Sequence, residues 1–95
     1  MLEKKIESKA VDYAKKKGCW VRKFQSPGRR SAPDRIFAYE GSVWWIEFKA
    51  PKCEATKLQK SEHSDMRKFG LRVYVCDSFT SAAKVIDQEI ARATL

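Results

Sequence analysis

Apolar positions along this chain switch between two periods, and each switch marks an element. Over residues 2–17, Leu2, Ile6, Ala10, Tyr13 and Ala14 recur at helical spacing and Gly18 follows as a stop, which predicts a helix. Residues 19–25 alternate loosely and predict a strand. Ser26-Pro27-Gly28-Arg29-Arg30-Ser31 is a loop by composition, with two arginines at its tip. Residues 34–39 predict a second strand, and Glu40-Gly41 a hairpin turn. Residues 43–50 predict a third strand, apolar on nearly every position and therefore central in its sheet, with Pro51 ending it. A second helix is expected over 56–69 with Gly70 after it, then a strand over 71–77. Ser78 caps a last helix with Phe79, Ala82, Ala83, Ile86 and Ile90 on its inner face.

The order is α-β-β-β-α-β-α, an α/β arrangement. The first three strands can be antiparallel neighbours, and the fourth returns through a helical crossover, so a mixed four-stranded sheet flanked by helices is expected. With 95 residues, one domain spanning 1–95 is expected. A domain of that length has a limited core, and association with a second copy is one way to bury more.

Charge narrows the class of partner. Twenty Lys and Arg against 12 Asp and Glu leave a formal net charge of +8, which favours a polyanion. Cys19, Cys53 and Cys76 are too far apart for a close-spaced zinc pair and odd in number, so free thiols in a reducing cytoplasm are expected. No apolar run is long enough to cross a membrane, and no signal-peptide core follows the N-terminal lysines.

The chemistry concentrates on the third strand, Trp44-Trp45-Ile46-Glu47-Phe48-Lys49. Side chains alternate across a strand, so Glu47 and Lys49 share one face and Ile46 and Phe48 the other. Two charges inside an apolar strand are costly unless paired or bound to a metal. Asp34 opens the neighbouring strand, and a hairpin through Glu40-Gly41 brings it to the same end of the sheet. Two converging carboxylates make a site for a hard divalent cation such as Mg²⁺. Lys49 can then orient water or stabilise developing negative charge. A structural salt bridge between Lys49 and the carboxylates is the plain alternative for these three residues alone.

Pro33-Asp34 followed by Glu47-Phe48-Lys49 resembles the motif of the PD-(D/E)xK nuclease superfamily. The longer context is similar to the VRR-Nuc (virus-type replication-repair nuclease) family. The resemblance rests on Lys23-Phe24-Gln25-Ser26-Pro27-Gly28, Pro33-Asp34-Arg35, Ile46-Glu47-Phe48-Lys49-Ala50-Pro51, Gln59 and Gly70-Leu71-Arg72-Val73-Tyr74-Val75, and covers most of the chain, about residues 3–78. It departs from the family at Arg29-Arg30-Ser31-Ala32, where a glycine is usual near Ser31.

The resemblance implies a restriction-endonuclease-like core, Mg²⁺ or Mn²⁺, and phosphodiester hydrolysis. It also implies a homodimeric endonuclease acting on branched DNA, with four-way (Holliday) junctions as substrate and no nucleotide cofactor. By that resemblance Asp34, Glu47 and the main-chain carbonyl of Phe48 are metal ligands, Lys49 is the catalytic lysine, and Gln59 is a family glutamine. A glutamate on the first helix completes the set, with Glu7 preferred and Glu3 the alternative, one turn apart on the same face. Thr56-x-x-Gln59 also reads as a capping box, and the two roles of Gln59 are compatible.

Lys23, Ser26, Arg29, Arg30, Arg35 and Lys52 are the expected DNA contacts, with Lys57 and Lys60 extending the track. His63 lies one turn after Gln59 and is expected to face solvent. Trp44 is expected in the core, and Trp45 beneath the site or on a dimer surface. The rival functions are the same chemistry on flap or duplex DNA, and a non-catalytic DNA-binding module.

Overall fold

The computed structural model describes residues 2–28 and 31–94. Its elements are α1 (Glu3–Lys16), β1 (Trp20–Lys23), β2 (Arg35–Tyr39), β3 (Ser42–Phe48), α2 (Lys57–Lys68), β4 (Arg72–Cys76) and α3 (Phe79–Ala93). The expected order is the observed one. The four strands run β1-β2-β3-β4 across the sheet. β1, β2 and β3 are antiparallel, and β4 joins β3 in parallel after the α2 crossover.

Local chemistry fixes the joints. Glu40 and Gly41 both have positive φ, 47° and 85°, the signature of a two-residue type I′ turn. That turn sets Tyr39 opposite Ser42 and, further along, Arg35 opposite Ile46. At the end of α1, the Gly18 N–H donates to the Lys15 carbonyl and the Cys19 N–H to the Ala14 carbonyl, a Schellman motif that needs the left-handed φ of Gly18. α2 ends the same way, through Gly70 and Leu71.

The sheet separates two apolar clusters. On one face, Ile6, Ala10 and Ala14 of α1 and Ala82 and Ile86 of α3 pack against Val21, Phe37, Trp44, Ile46 and Phe48. Phe37 and Trp44 stack there at 5.6 Å between centroids. On the other face Trp45 and Val73 meet Met66 of α2, with Phe24 and Ile36 at the margin. Strand alternation on β3 thus sends Trp44, Ile46 and Phe48 to the two-helix face, and Trp45 and Glu47 toward α2. Trp44 is core, as expected. Trp45 lies buried beneath the second face rather than on a free surface. The three cysteines are unbonded, Cys19 and Cys76 buried and Cys53 exposed. No helix among the described residues is long and apolar enough to cross a membrane.

The inner stripe of α3 holds one charge, Glu89, which is 2% exposed. Its carboxylate accepts from Ser42 at 2.6 Å, from Arg72 Nη2 at 2.7 Å and Nε at 2.8 Å, and from the Tyr74 hydroxyl. Burial alone would raise this carboxyl, but the hydrogen bonds from Arg72, Ser42 and Tyr74 outweigh it and hold it below its ordinary value. The network ties α3 to the starts of β3 and β4, at the sheet end opposite Glu47.

Removing one member of a buried ion pair strands the other, so Glu89→Ala is expected to cost about 3–5 kcal/mol in chemical denaturation. Because the folded carboxyl is depressed, its stabilisation is complete above the unfolded value and is lost as pH falls through the folded one. Glu89→Gln is expected to be less stable than wild type at neutral pH, the gap narrowing in acid. A constant gap would contradict the network's role.

Candidate active site

One end of the sheet collects most of the residues singled out from sequence. β1 and β2 are antiparallel, and so are β2 and β3, so the end of β1 (Lys23), the start of β2 (Asp34, Arg35) and the end of β3 (Glu47 to Lys49) lie together. Continuing the register of Arg35 opposite Ile46 places Asp34 opposite Glu47. Asp34 shares a face with Ile36, and Glu47 with Trp45, so both carboxylates emerge on the side of α2.

Asp34 Oδ2 accepts the Phe48 N–H at 2.8 Å, which anchors the carboxylate where β2 begins. The Phe48 carbonyl lies on that same strand edge, since the N–H and C=O of one strand residue point the same way. Glu47 is 2% exposed. Its Oε2 accepts from Gln59 Nε2 at 3.2 Å. Its Oε1 is buried with no hydrogen-bond partner among the described residues.

The two carboxylates disturb each other. Burial, the Asp34 charge and the hydrogen bond shared with Asp34 push the Glu47 carboxyl up to about 8, with Lys49 pulling the other way and Glu3 adding to the rise. Asp34 is also raised, mainly by burial and by the charge of Glu7, against the lowering effect of the Phe48 N–H, Glu47 and Lys49. Among the described residues Lys49 makes no direct ion pair with either, so the simple salt bridge that could have explained the trio is absent. It acts on both through space.

The first helix contributes Glu7, which lines with Asp34, Lys23, Ser26, Gly28 and Ala32 an open cleft of about 810 Å³. Glu3 is exposed and its charge reaches Glu47, but it does not line that cleft. Glu7 Oε2 lies 2.6 Å from Arg35 Nε. Arg35 shares a strand face with Phe37, which turns it toward α1 and this glutamate. In this arrangement its guanidinium is engaged by Glu7 instead of being presented to a phosphate. Arg29 and Arg30 lie outside the described residues. Lys52 is exposed at a left-handed position, φ 65°, in the turn after β3, where its N–H donates to Asp77 Oδ2 at 3.1 Å. Lys57 and Lys60 are exposed on α2, and Lys60 lies 3.7 Å from Glu54.

Gln59 performs both roles read from sequence. Its Oε1 accepts the Thr56 N–H at 2.8 Å while its own N–H donates to Thr56 Oγ1 at 3.2 Å, a complete capping box. Its Nε2 is left free to reach Glu47.

His63 corrects the expectation of a solvent-facing residue. It is 1% exposed, with Nε2 at 3.7 Å from Glu47 Oε1. The reason is how α2 docks. Its larger apolar neighbours face water, Leu58 at 75% and Phe69 at 85% exposure, while Gln59, His63 and Met66 form the inner stripe. Burial holds the His63 imidazole below its ordinary value, with the charges of Arg67 and Lys49 adding to the effect and Glu62 opposing it. The one sequence signal for its position was the four-residue step from Gln59.

No profile of a known protein family matches the chain. It is, however, 40% identical over 77 residues to a protein titled "Putative nuclease p44" from Acyrthosiphon pisum secondary endosymbiont phage 1, covering 80% of this chain and 83% of that protein. A solved structure titled "VRR_NUC domain" superposes with a TM-score of 0.76 at 34% identity, covering 90% of this chain and 94% of that one. The chain belongs to the VRR-Nuc family of nucleases. The α-β-β-β-α-β-α order and the mixed sheet are those of the VRR-Nuc fold.

Neutralising Asp34 removes one cause of the rise in Glu47. In metal-free Asp34→Asn, Glu47 is expected to titrate at lower pH than in wild type, yet still above a free glutamate because burial remains. Carbon-detected NMR of the Glu47 carboxyl measures this, and an unmoved midpoint would mean the two groups are not coupled.

Proposed function

We propose that this VRR-Nuc chain is a divalent-metal-dependent endonuclease that hydrolyses DNA phosphodiesters, acting as a homodimer on four-way junctions. The observation that carries the reading is the Asp34–Glu47 pair. A buried Glu47 and a half-buried Asp34 are held side by side, Glu47 raised by burial and by Asp34, and Asp34 raised by burial and by the charge of Glu7, with Lys49 acting on both. A structural ion pair would have placed a cation between them.

The donor set fits a hard cation. Asp34, Glu47 with its unpartnered Oε1, and the carbonyl of Phe48 are oxygen donors on one edge. Among the described residues no three His, Cys, Asp or Glu side chains form a ready ligand cage. That suits Mg²⁺ or Mn²⁺, which accept few protein oxygens and keep several waters, better than a structural zinc site. Glu7, at the cleft beside Asp34, is the further carboxylate, reaching the site through water when Arg35 releases it.

When bound, the ion polarises the scissile phosphate and makes water more acidic. The chain's own residues do the rest. Asp34 and Glu47 would hold the cation at this end of the sheet, and the phosphate would be placed by its attraction to that charge. Gln59 keeps Glu47 in one orientation. The Lys49 ammonium, sharing the Glu47 face, orients the attacking water or stabilises charge that develops on the phosphate. Lys23 and Ser26 line the cleft and, with Arg29, Arg30 and Lys52, would hold the flanking backbone. The net charge of +8 supports a polyanionic substrate. The family resemblance supports the junction, and a C₂ dimer would present two identical sites to its two symmetric strands.

Labelled four-way junction, flap and linear duplex, each with Mg²⁺, Mn²⁺ or chelator, test the reading. Paired incisions in the junction are expected, abolished by chelator, Asp34→Ala and Glu47→Ala. Lys49→Ala is expected to lower kcat by about 10²–10³-fold. Preferential cutting of flap or duplex would replace the substrate but keep the chemistry. Binding without cutting would leave a DNA-binding module. Sedimentation is expected to show a dimer at micromolar concentration, and a monomer there would refute paired cleavage. Junction affinity is expected to fall steeply with salt, in proportion to the phosphates contacted.

A further inference from the structure

α2 reaches the Glu47 carboxylate twice. Gln59 Nε2 donates to Oε2 at 3.2 Å, and one helical turn later His63 Nε2 faces Oε1 at 3.7 Å. Among the described residues these are the two α2 side chains that reach the carboxylate, which Asp34 meets from the start of β2. His63 Nε2 and Glu47 Oε1 are both buried, and among the described residues neither has a hydrogen-bond partner. A buried donor and a buried acceptor left unpaired are each destabilising. The gap is about 0.5 Å beyond hydrogen-bond length, and a small rotation of either side chain closes it. When Glu47 is ionised, as it would be with a cation bound, the Nε2 that faces its oxygen carries the proton, since two lone pairs would repel. That proton is present in the imidazolium and in one of the two neutral tautomers.

We propose that His63 is a positioning residue for the metal-binding glutamate. Its Nε2–H holds Oε1 of Glu47 while Gln59 holds Oε2, so that α2 fixes the carboxylate plane and aims the remaining lone pairs toward Asp34. Each carboxylate oxygen has two lone pairs, so one can accept from α2 while the other binds the cation. Outer partners of this kind set the orientation of a ligand and with it the metal affinity. The inference rests on the reading of Asp34 and Glu47 as a metal site, and goes beyond it by assigning a role to a histidine outside the Asp34–Glu47–Lys49 trio.

The test uses the full chain without DNA. Mn²⁺ affinity is measured by electron paramagnetic resonance for wild type, Asp34→Asn, His63→Leu, His63→Asn and His63→Gln, with circular dichroism and thermal unfolding to establish that each is folded. His63→Leu is expected to bind Mn²⁺ about 10–100-fold more weakly. Gln carries its amide nitrogen about as far from Cα as His carries Nε2, and Asn stops short. His63→Gln is therefore expected to recover much of the affinity and His63→Asn little. A His63→Leu affinity equal to wild type, with Asp34→Asn binding abolished, would overturn the role of His63 and leave the metal site standing. Equal losses in the folded Gln and Asn variants would also overturn it. Wild-type binding no stronger than Asp34→Asn would overturn the metal reading, and the role of His63 with it.

Discussion

Two carboxyl groups held next to each other in a half-dry place are the constraint that organises this molecule. Asp34 and Glu47 face each other across β2 and β3 at the sheet end, where burial raises both and Asp34 raises Glu47 further. Nothing in the fold gains stability from that arrangement directly. Around it sit the groups that make it tolerable: the Phe48 N–H on Asp34, the Gln59 amide on Glu47, and the ammonium of Lys49 at a distance. The rest of the structure supplies rigidity. Two helices on one face and one on the other anchor β3 as a central strand, so the carboxylates cannot swing apart.

Comparison of the two buried glutamates makes the point. Glu89 and Glu47 are equally hidden, yet Glu89 is satisfied by Arg72, Ser42 and Tyr74 and held below its ordinary value, while Glu47 is pushed up to about 8. Both are residues on an inner face, at opposite ends of the sheet. One end is built as a closed polar network that locks α3 to the strands. The other keeps oxygen lone pairs available, which is what a ligand site requires and a structural site avoids.

Much of this was legible in the chain. The two periodicities and their stops gave the seven elements in order. The Glu40-Gly41 pair marked the hairpin, and the charged pair in the apolar run of β3 marked the site. What could not be read was the docking of α2. Its inner stripe is Gln59, His63 and Met66, two polar residues out of three, whereas Leu58 and Phe69 face out. A hydrophobic pattern points the wrong way when a helix turns its polar side to an active site, and His63 was misplaced for that reason. Glu89 was missed because a lone glutamate between Ile86 and Ile90 reads as solvent-facing until its three partners from β3 and β4 are brought to it. The pairing of Arg35 with Glu7 is a contact between α1 and β2 that only the packing angle of the helix decides.

The type I′ turn at Glu40-Gly41 has a consequence at the far end of its hairpin. It works as a ruler: counting four paired steps back from Tyr39 and Ser42 reaches Arg35 and Ile46, and the next step is Asp34 and Glu47. That is about 17–20 Å from the turn to the carboxylates at the usual rise of a strand. One residue inserted at the tip would slip the register by one, and every side chain of one strand would change faces relative to its partner. Glu47 and Lys49 would then be driven into the apolar layer beneath α1 and α3, or Asp34 would face the wrong neighbour. Chain length is therefore fixed between the two carboxylates by a loop that touches neither.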